Sequence, residues 1–319
     1  QMFKKMVGAT ISSACLLLVY GYVCARTLNE EVGDLGSNDP AVHQRASAAL
    51  LASGRGAIAS LKIGGTHTNP VVRRRCLKIL KRLRDPEAFE VFESAALTDS
   101  NARVRQEAIS GISRLAVKRS GKVLEQVLRT ENDLANRISA IRNLSSIEGK
   151  RAIPVLRETL GDSNALVRLN AARELGRNGI ADAYDLAVSF LKSADWRERA
   201  AAAEAVGAIA RKDALPLLRA LFENPKEERR VQFDAISAIR HIELMQLPPG
   251  MRVAHLDDAL SHSDWAVRTW AAAELANRRD AESKAVLESA VAKKAHVGRE
   301  QARGALAGFR DDLDRAWDR

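Results

Sequence analysis

The residues that could perform chemistry are few and scattered along the chain. The six histidines never take the His-Glu-x-x-His spacing, and the three cysteines form no Cys-x-x-Cys pair. Zinc sites commonly use such spacings, because they bring neighbouring ligands to one ion. The chain also has no Gly-x-x-x-x-Gly-Lys-Ser/Thr phosphate loop and no Gly-x-Ser-x-Gly nucleophile motif. We therefore expect no catalytic, cofactor-binding or metal site, and no enzyme activity.

One stretch concentrates titratable side chains. His255 and His262 flank Asp257, Asp258 and Asp264. The spacing matches no ligand or catalytic pattern, so we interpret this stretch as a surface loop.

A Val-Arg-x-x-Ala pattern recurs along most of the chain, about every 31 residues, and widens to 36 residues between Gln232 and Arg268. The recurring arginines are Arg73, Arg105, Arg137, Arg168, Arg199, Arg268 and Arg299. A fixed period of this length is typical of stacked helical units that cannot bury their apolar faces alone. We expect these arginines to form a ladder, each close to an Asp or Asn of the turn before its helix.

The segment from Ile153 to Gly176 shows one complete unit. Leu156 and Leu160 lie one helical turn apart, and so do the apolar residues of a second helix after the turn Gly161-Asp162-Ser163-Asn164. Glycine can end the first helix, and a polar side chain of the turn can cap the next. The segment therefore predicts a helix pair.

These motifs resemble the HEAT-repeat family, in its short bacterial form that also occurs in phycobilin lyase subunits. The resemblance lies in a helix that tolerates proline (Ala152-Ile153-Pro154-Val155-Leu156) followed by Asp-x-x-x-x-Val-Arg-x-x-Ala-Ala. It extends from about Asp39 to the C-terminus and implies an all-α fold, an α-solenoid of about eight to nine helix pairs. It implies little about function, because such folds have many roles.

The N-terminal segment contains an uncharged run from Met6 to Ala25. Twenty helical residues rise about 30 Å, which is the hydrocarbon thickness of a bilayer. The run is a cleavable signal or a retained anchor, and its length favours the anchor. Lys4 and Lys5 precede it, which places the N-terminus in the cytoplasm and the repeats on the extracytoplasmic, periplasmic side. We thus divide the chain into an anchor or signal (1–27), a linker (28–38) and the solenoid (39–319).

The net charge of +10 is concentrated between residues 69 and 160. One predicted helix there carries its basic side chains opposite its apolar face. The four residues are Arg74, Lys78, Lys81 and Arg82. A solvated helix face is the usual explanation of such a run. The alternative is a patch that binds lipid headgroups or an acidic partner.

Two other features lie outside this basic region. Trp196 and Trp265 each follow an aspartate at a helix start, and this repetition favours packing over exposure. Leu247-Pro248-Pro249-Gly250 interrupts the period and predicts a protruding loop of the kind that often carries binding.

The function that we expect is a membrane-tethered repeat scaffold that binds other protein subunits, as an accessory or assembly subunit of a larger membrane complex. The alternative is a binder of anionic lipid or nucleic acid through the basic half. DNA glycosylases of HEAT-like type place tryptophans near a basic groove, but all four tryptophans lie outside the basic half here. Export would also separate the repeats from nucleic acid, and nothing marks a lyase chromophore site.

Overall fold

The computed structural model describes residues 27–316, with side chains as far as residue 307. Helices joined by short turns make up this part of the chain, which contains no β-strand. The described helices include none that is both long and apolar enough to cross a membrane. The proposed anchor, Met6 to Ala25, lies outside the described residues.

The chain divides into two compact units, the first ending at Thr159 and the second beginning at Leu160. Helices of the first unit are α1 (Leu28–Asp34), α2 (Pro40–Ala52), α3 (Ile58–Gly64), α4 (Pro70–Leu83), α5 (Phe89–Thr98), α6 (Ala102–Leu115), α7 (Ser120–Thr130), α8 (Leu134–Glu148) and α9 (Ile153–Thr159). Helices of the second unit are α10 (Ala165–Arg177), α11 (Tyr184–Phe190), α12 (Trp196–Ile209), α13 (Leu215–Glu223), α14 (Arg229–Gln246), α15 (Arg252–Leu260), α16 (Trp265–Arg278), α17 (Ala281–Ala292) and α18 (Arg299–Ala316).

Each unit is built from helix pairs, as the repeat predicts. In the first unit, α1–α2, α3–α4, α5–α6 and α7–α8 pack as pairs, and α2, α4, α6 and α8 also contact one another in order. In the second unit, the pairs are α11–α12, α13–α14, α15–α16 and α17–α18. In this unit α10 contacts α12, α12 contacts α14, and α16 contacts α18. We call the even-numbered helices the ladder helices.

Polar residues of the turns start the ladder helices. The side chains of Asp39, Asn69, Asp195 and Asp264 each accept a hydrogen bond from a backbone N–H of the first helical turn. Asn164 caps α10 in the same way, from the turn that the sequence assigns to capping. These bonds satisfy N–H groups that have no partner within the helix.

Small residues let the ladder helices approach closely. The residue three positions after each ladder arginine is fully buried at Cys76, Ala108, Ala140, Ala171, Ala202, Ala271 and Ala302. A Cβ added at Gly207 on α12 would lie 2.7 Å from the Cβ of Ala238 on α14. Burial raises the pKa of the Cys76 thiol to about 12, so this cysteine stays a neutral packing residue.

The structure differs from two sequence-based expectations. Residues 28–38, predicted as a linker, contain α1, which Thr27 and Glu30 start with a capping box and whose flanking Leu35 is fully buried. The expected packing of the repeated tryptophans is also wrong for Trp265, which exposes 59% of its surface, while Trp196 exposes 37%. Both begin their helices directly after the capping aspartate, where the side chain can extend into solvent.

Candidate interaction surface

Helix α4 positions the predicted basic patch. Asn69 caps its start, Pro70 is its first residue, and Arg84 ends it in the left-handed conformation with φ of 55°. Its buried side includes Val72, Cys76 and Leu80. Because this apolar side fixes the rotation of the helix, its basic residues must lie on the remaining faces.

The four predicted basic residues do not share one environment. Lys78 and Arg82 are exposed, and Arg74 is half-buried. The ammonium of Lys81 instead lies 2.5 Å from Oε1 of Glu107 and donates to the hydroxyl of Ser110 at 3.2 Å, both on α6. Lys81 therefore joins two ladder helices. Arg74, Lys78 and Arg82 have no hydrogen bond or ion pair with another residue that the structure describes.

The two other arginines of this run point to different partners. Arg75 donates to the carbonyl oxygens of Leu35 and Ser37, which holds the end of α1 against α4. Arg73 belongs to the ladder. Its Nε and Nη2 bond both carboxylate oxygens of Asp99, at 2.6 and 2.8 Å. Its Nη1 donates to the carbonyl oxygens of His67 and Thr68.

Arg105 repeats this arrangement in the next repeat. Its guanidinium makes two bonds of 2.7 Å to Glu131 and reaches the carbonyl oxygens of Asp99 and Ser100. Each of these arginines forms what we call a fork: its guanidinium bonds the backbone of the turn before its own helix and the carboxylate of the turn before the next ladder helix. The expected partner was the Asp or Asn of the preceding turn, but that side chain caps the helix or supports the turn instead.

The forks keep their carboxylates ionised. Burial alone would raise the pKa of Asp99, but the hydrogen bonds from Arg73 and from the backbone N–H of Asn101 outweigh it and lower this pKa. The pKa of Glu131 is lowered in the same way by Arg105. The hydrogen bond to Asp99 also raises the pKa of Arg73, so the pair remains charged near neutral pH.

The ladder is less uniform in the second unit. Arg199 forms the full fork, with bonds of 3.0 and 2.5 Å to Glu227. Arg168 and Arg268 keep the bonds to the backbone of the preceding turn. In place of a carboxylate, Arg168 has the ring of Phe190 at 5.2 Å, and the Nε of Arg268 has no acceptor among the described residues. Arg137 begins the second turn of α8, and the Nε of Arg299 donates to the carbonyl of Val291.

A partly buried charge cluster on α10, α12 and α14 escaped the sequence analysis. Arg173 is 7% exposed and donates to Glu204 at 2.5 Å, and Arg230 bonds both Glu204 and Asp234. Burial raises the pKa of Asp234 to about 6 against the opposing hydrogen bond from Arg230. Asp234 is thus a buried carboxyl that is not paired with a ladder arginine, which the sequence had not revealed. The register between ladder helices, which brings these residues together, was not visible in the sequence.

The residues around His255 do not form the surface loop that we expected. His255, Asp257 and Asp258 lie on α15, and His262 lies in the turn that follows. His255, Asp258 and His262 line a cavity of about 390 Å³ with residues of α14 and α16. The described residues contain no group of three or more His, Cys, Asp or Glu side chains that could hold a metal ion.

Comparison with known proteins supports the repeat architecture. A family model described as HEAT repeats matches residues 58–145, 121–202 and 153–240, which together exceed half of the chain. No curated protein matches the sequence.

Solved structures similar to this chain share little sequence with it. The complex of CpcE and CpcF of phycocyanin lyase from a Nostoc species matches at 19% identity and a TM-score of 0.41, covering 76% of this chain and 92% of the other. The Escherichia coli protein YibA matches at 13% identity and a TM-score of 0.45, covering 86% and 98%. Human deoxyhypusine hydroxylase matches at 18% identity and a TM-score of 0.32, covering 89% and 96%.

Proposed function

Because this chain belongs to the HEAT-repeat family, we propose that it is a non-enzymatic scaffold that binds an acidic protein partner through α4. The observation that carries the proposal is the set of three cations, Arg74, Lys78 and Arg82, on a helix whose other charged residues are already engaged. Basic side chains without local partners attract acidic surfaces and speed their association. Stacked repeats offer the extended surface that such a partner needs.

The partner that we propose is another subunit of a membrane complex. Support for the membrane location comes from the uncharged run between Met6 and Ala25, with Lys4 and Lys5 before it. A retained anchor would place the repeats at the extracytoplasmic surface. Fractionation of cells, with a mass measurement of the mature N-terminus, tests this. A chain that remains in the membrane and still carries this run supports the anchor, whereas a released chain that begins near Arg26 contradicts it.

Quantitative co-purification tests the partner. The full chain is purified in mild detergent at low salt, beside a variant with Arg74, Lys78 and Arg82 changed to Ser. A control with Lys118, Lys122 and Lys150 changed to Ser loses the same charge from exposed sites away from α4. We expect an acidic protein to co-purify with the wild type and with the control. It should be lost from the α4 variant, and from the wild type in high salt.

The same experiment distinguishes the alternative ligand. Lipid or nucleic acid that co-purifies in place of a protein, and that depends on the same three residues and on salt, would favour the anionic-ligand function. A protein partner that stays bound to the α4 variant would contradict the role of this helix and leave a scaffold that uses another surface.

A further inference from the structure

The cavity in the second unit has an apolar lining. Leu247, Ala259, Val267 and Trp270 contribute to it, from α14 to α16. Leu247 belongs to the segment that interrupts the repeat period. Arg252 holds this segment by donating to the carbonyl oxygens of Leu247 and Met245, each at 3.0 Å. Leu247 thus lines the cavity, whereas Pro248, Pro249 and Gly250 are exposed.

The guanidinium of Arg240 lies beside these apolar residues and has no partner among the described residues. It is half-buried, and no hydrogen bond or ion pair joins it to another described residue. Burial lowers its pKa, although the negative charges of Asp264 and Glu243 act in the opposite direction. A guanidinium that loses water without gaining an acceptor carries a desolvation cost that an anionic ligand would relieve.

The repeat explains why Arg240 has no partner. Arg240 lies eight residues after the ladder position of α14, as Lys81 does in α4. The partner of Lys81 is Glu107, two residues after the ladder position of the next ladder helix. In α16 that place is taken by Trp270, so the carboxylate that neutralises Lys81 has no counterpart beside Arg240.

Trp270 supplies a second unsatisfied donor. It is 6% exposed and lines the cavity, and its indole Nε1 has no acceptor among the described residues. Two carboxylates and two histidines also line the cavity. Glu243 lies 3.3 Å from Arg219, and His255, Asp258 and His262 are exposed to solvent. The unsatisfied donors and the apolar side chains are thus the less exposed part of the lining.

We propose that this cavity binds a small carboxylate with an apolar body. The carboxylate accepts hydrogen bonds from the planar guanidinium of Arg240, and the body packs against Trp270, Val267 and Leu247. A volume of about 390 Å³ suits a small organic molecule, and few polar groups in an apolar pocket are typical of such sites. This site is separate from α4, so its failure would leave the scaffold proposal intact.

Calorimetric titration of the full chain tests the site with 4-phenylbutyrate and with 4-phenylbutanol, which has a similar body and no charge. We expect saturable binding of the carboxylate, with Kd below about 1 mM, and weaker binding of the alcohol. Arg240→Gln should weaken carboxylate binding at least about ten-fold and leave alcohol binding unchanged. Arg229→Gln removes an exposed arginine at the start of the same helix, outside the cavity lining, and should keep wild-type affinity for both probes.

Nuclear magnetic resonance of the tryptophan indole N–H groups gives an independent readout. The Trp270 signal should move on addition of 4-phenylbutyrate, while that of the exposed Trp265 should not. If Arg240→Gln does not fold, Arg240→Lys keeps the charge without the fork and should still bind more weakly than wild type. Equal binding of the alcohol and the carboxylate, unchanged affinity after either substitution, or no saturable binding would overturn the proposal.

Discussion

The ammonium nitrogen of Lys81 lies 2.5 Å from a carboxylate oxygen of Glu107 on the neighbouring ladder helix. This pair distinguishes Lys81 from the three other basic residues of the predicted patch, which look equivalent to it in the sequence. One of them joins two repeats, and the other three remain available to a partner. The same relationship identifies Arg240 as the equivalent cation that lacks a carboxylate.

Lys81 should therefore contribute to stability, and its neighbour Lys78 should not. Lys81→Met leaves the half-buried Glu107 without its cation, and a cost of about 1 kcal/mol in the free energy of unfolding is expected. Lys78→Met serves as the matched control, because Lys78 is exposed. Urea unfolding of both variants measures the difference. Equal effects of the two substitutions would show that the Lys81–Glu107 pair does not couple the helices.

The Arg73–Asp99 fork should contribute more to the free energy of unfolding than the Lys81–Glu107 pair does. Its side chains are only 13% and 6% exposed, so Arg73→Met leaves a buried carboxylate without its cation. We expect a loss of about 3 kcal/mol at pH 7. The control is Arg103→Met, at an exposed position of α6.

The decrease in the free energy of unfolding that Arg73→Met causes should be smaller at acidic pH. The folded-state pKa of Asp99 lies below its ordinary value, so the fork stabilises the fold above that ordinary value, near pH 4. Its contribution disappears as the pH falls through the lowered pKa and Asp99 becomes protonated. Denaturant unfolding at pH 7 and pH 3 measures this, and an unchanged difference between wild type and variant would contradict the account.

Asp234 should show the opposite pH dependence. Its folded-state pKa of about 6 lies above the ordinary value of 3.8, so the folded state favours the protonated carboxyl. The favourable effect is complete below pH 3.8 and is lost as the pH rises through 6. Asp234→Asn should therefore raise stability at pH 8, by about 2 kcal/mol, and have little effect at pH 4.

Thermal unfolding of Asp234→Asn across this pH range is the measurement. Asp257→Asn gives a control, because it removes a carboxylate from an exposed position. A destabilised Asp234→Asn at pH 8 would mean that the ion pair with Arg230 outweighs the desolvation of the carboxylate.

The sequence predicts the helix pairs, their caps and their buried small residues, because these features depend on local spacing. It also places Arg74, Lys78, Lys81 and Arg82 on one helix. It could not separate Lys81 from the others, since Glu107 lies 26 residues away and only the register of neighbouring helices joins them. Asp234 and Arg240 were missed for the same reason, because the burial that perturbs them comes from other repeats.

Site-specific photo-crosslinking in cells tests the central claim most directly. A photoreactive amino acid replaces Lys78 on α4 or, as the control, the exposed Gln126 on α7. We predict that position 78 crosslinks to an acidic protein, that position 126 does not, and that replacing Arg74 and Arg82 with Ser reduces the crosslink. A crosslink at position 126 with none at position 78 would contradict the assignment of α4 as the partner-binding helix.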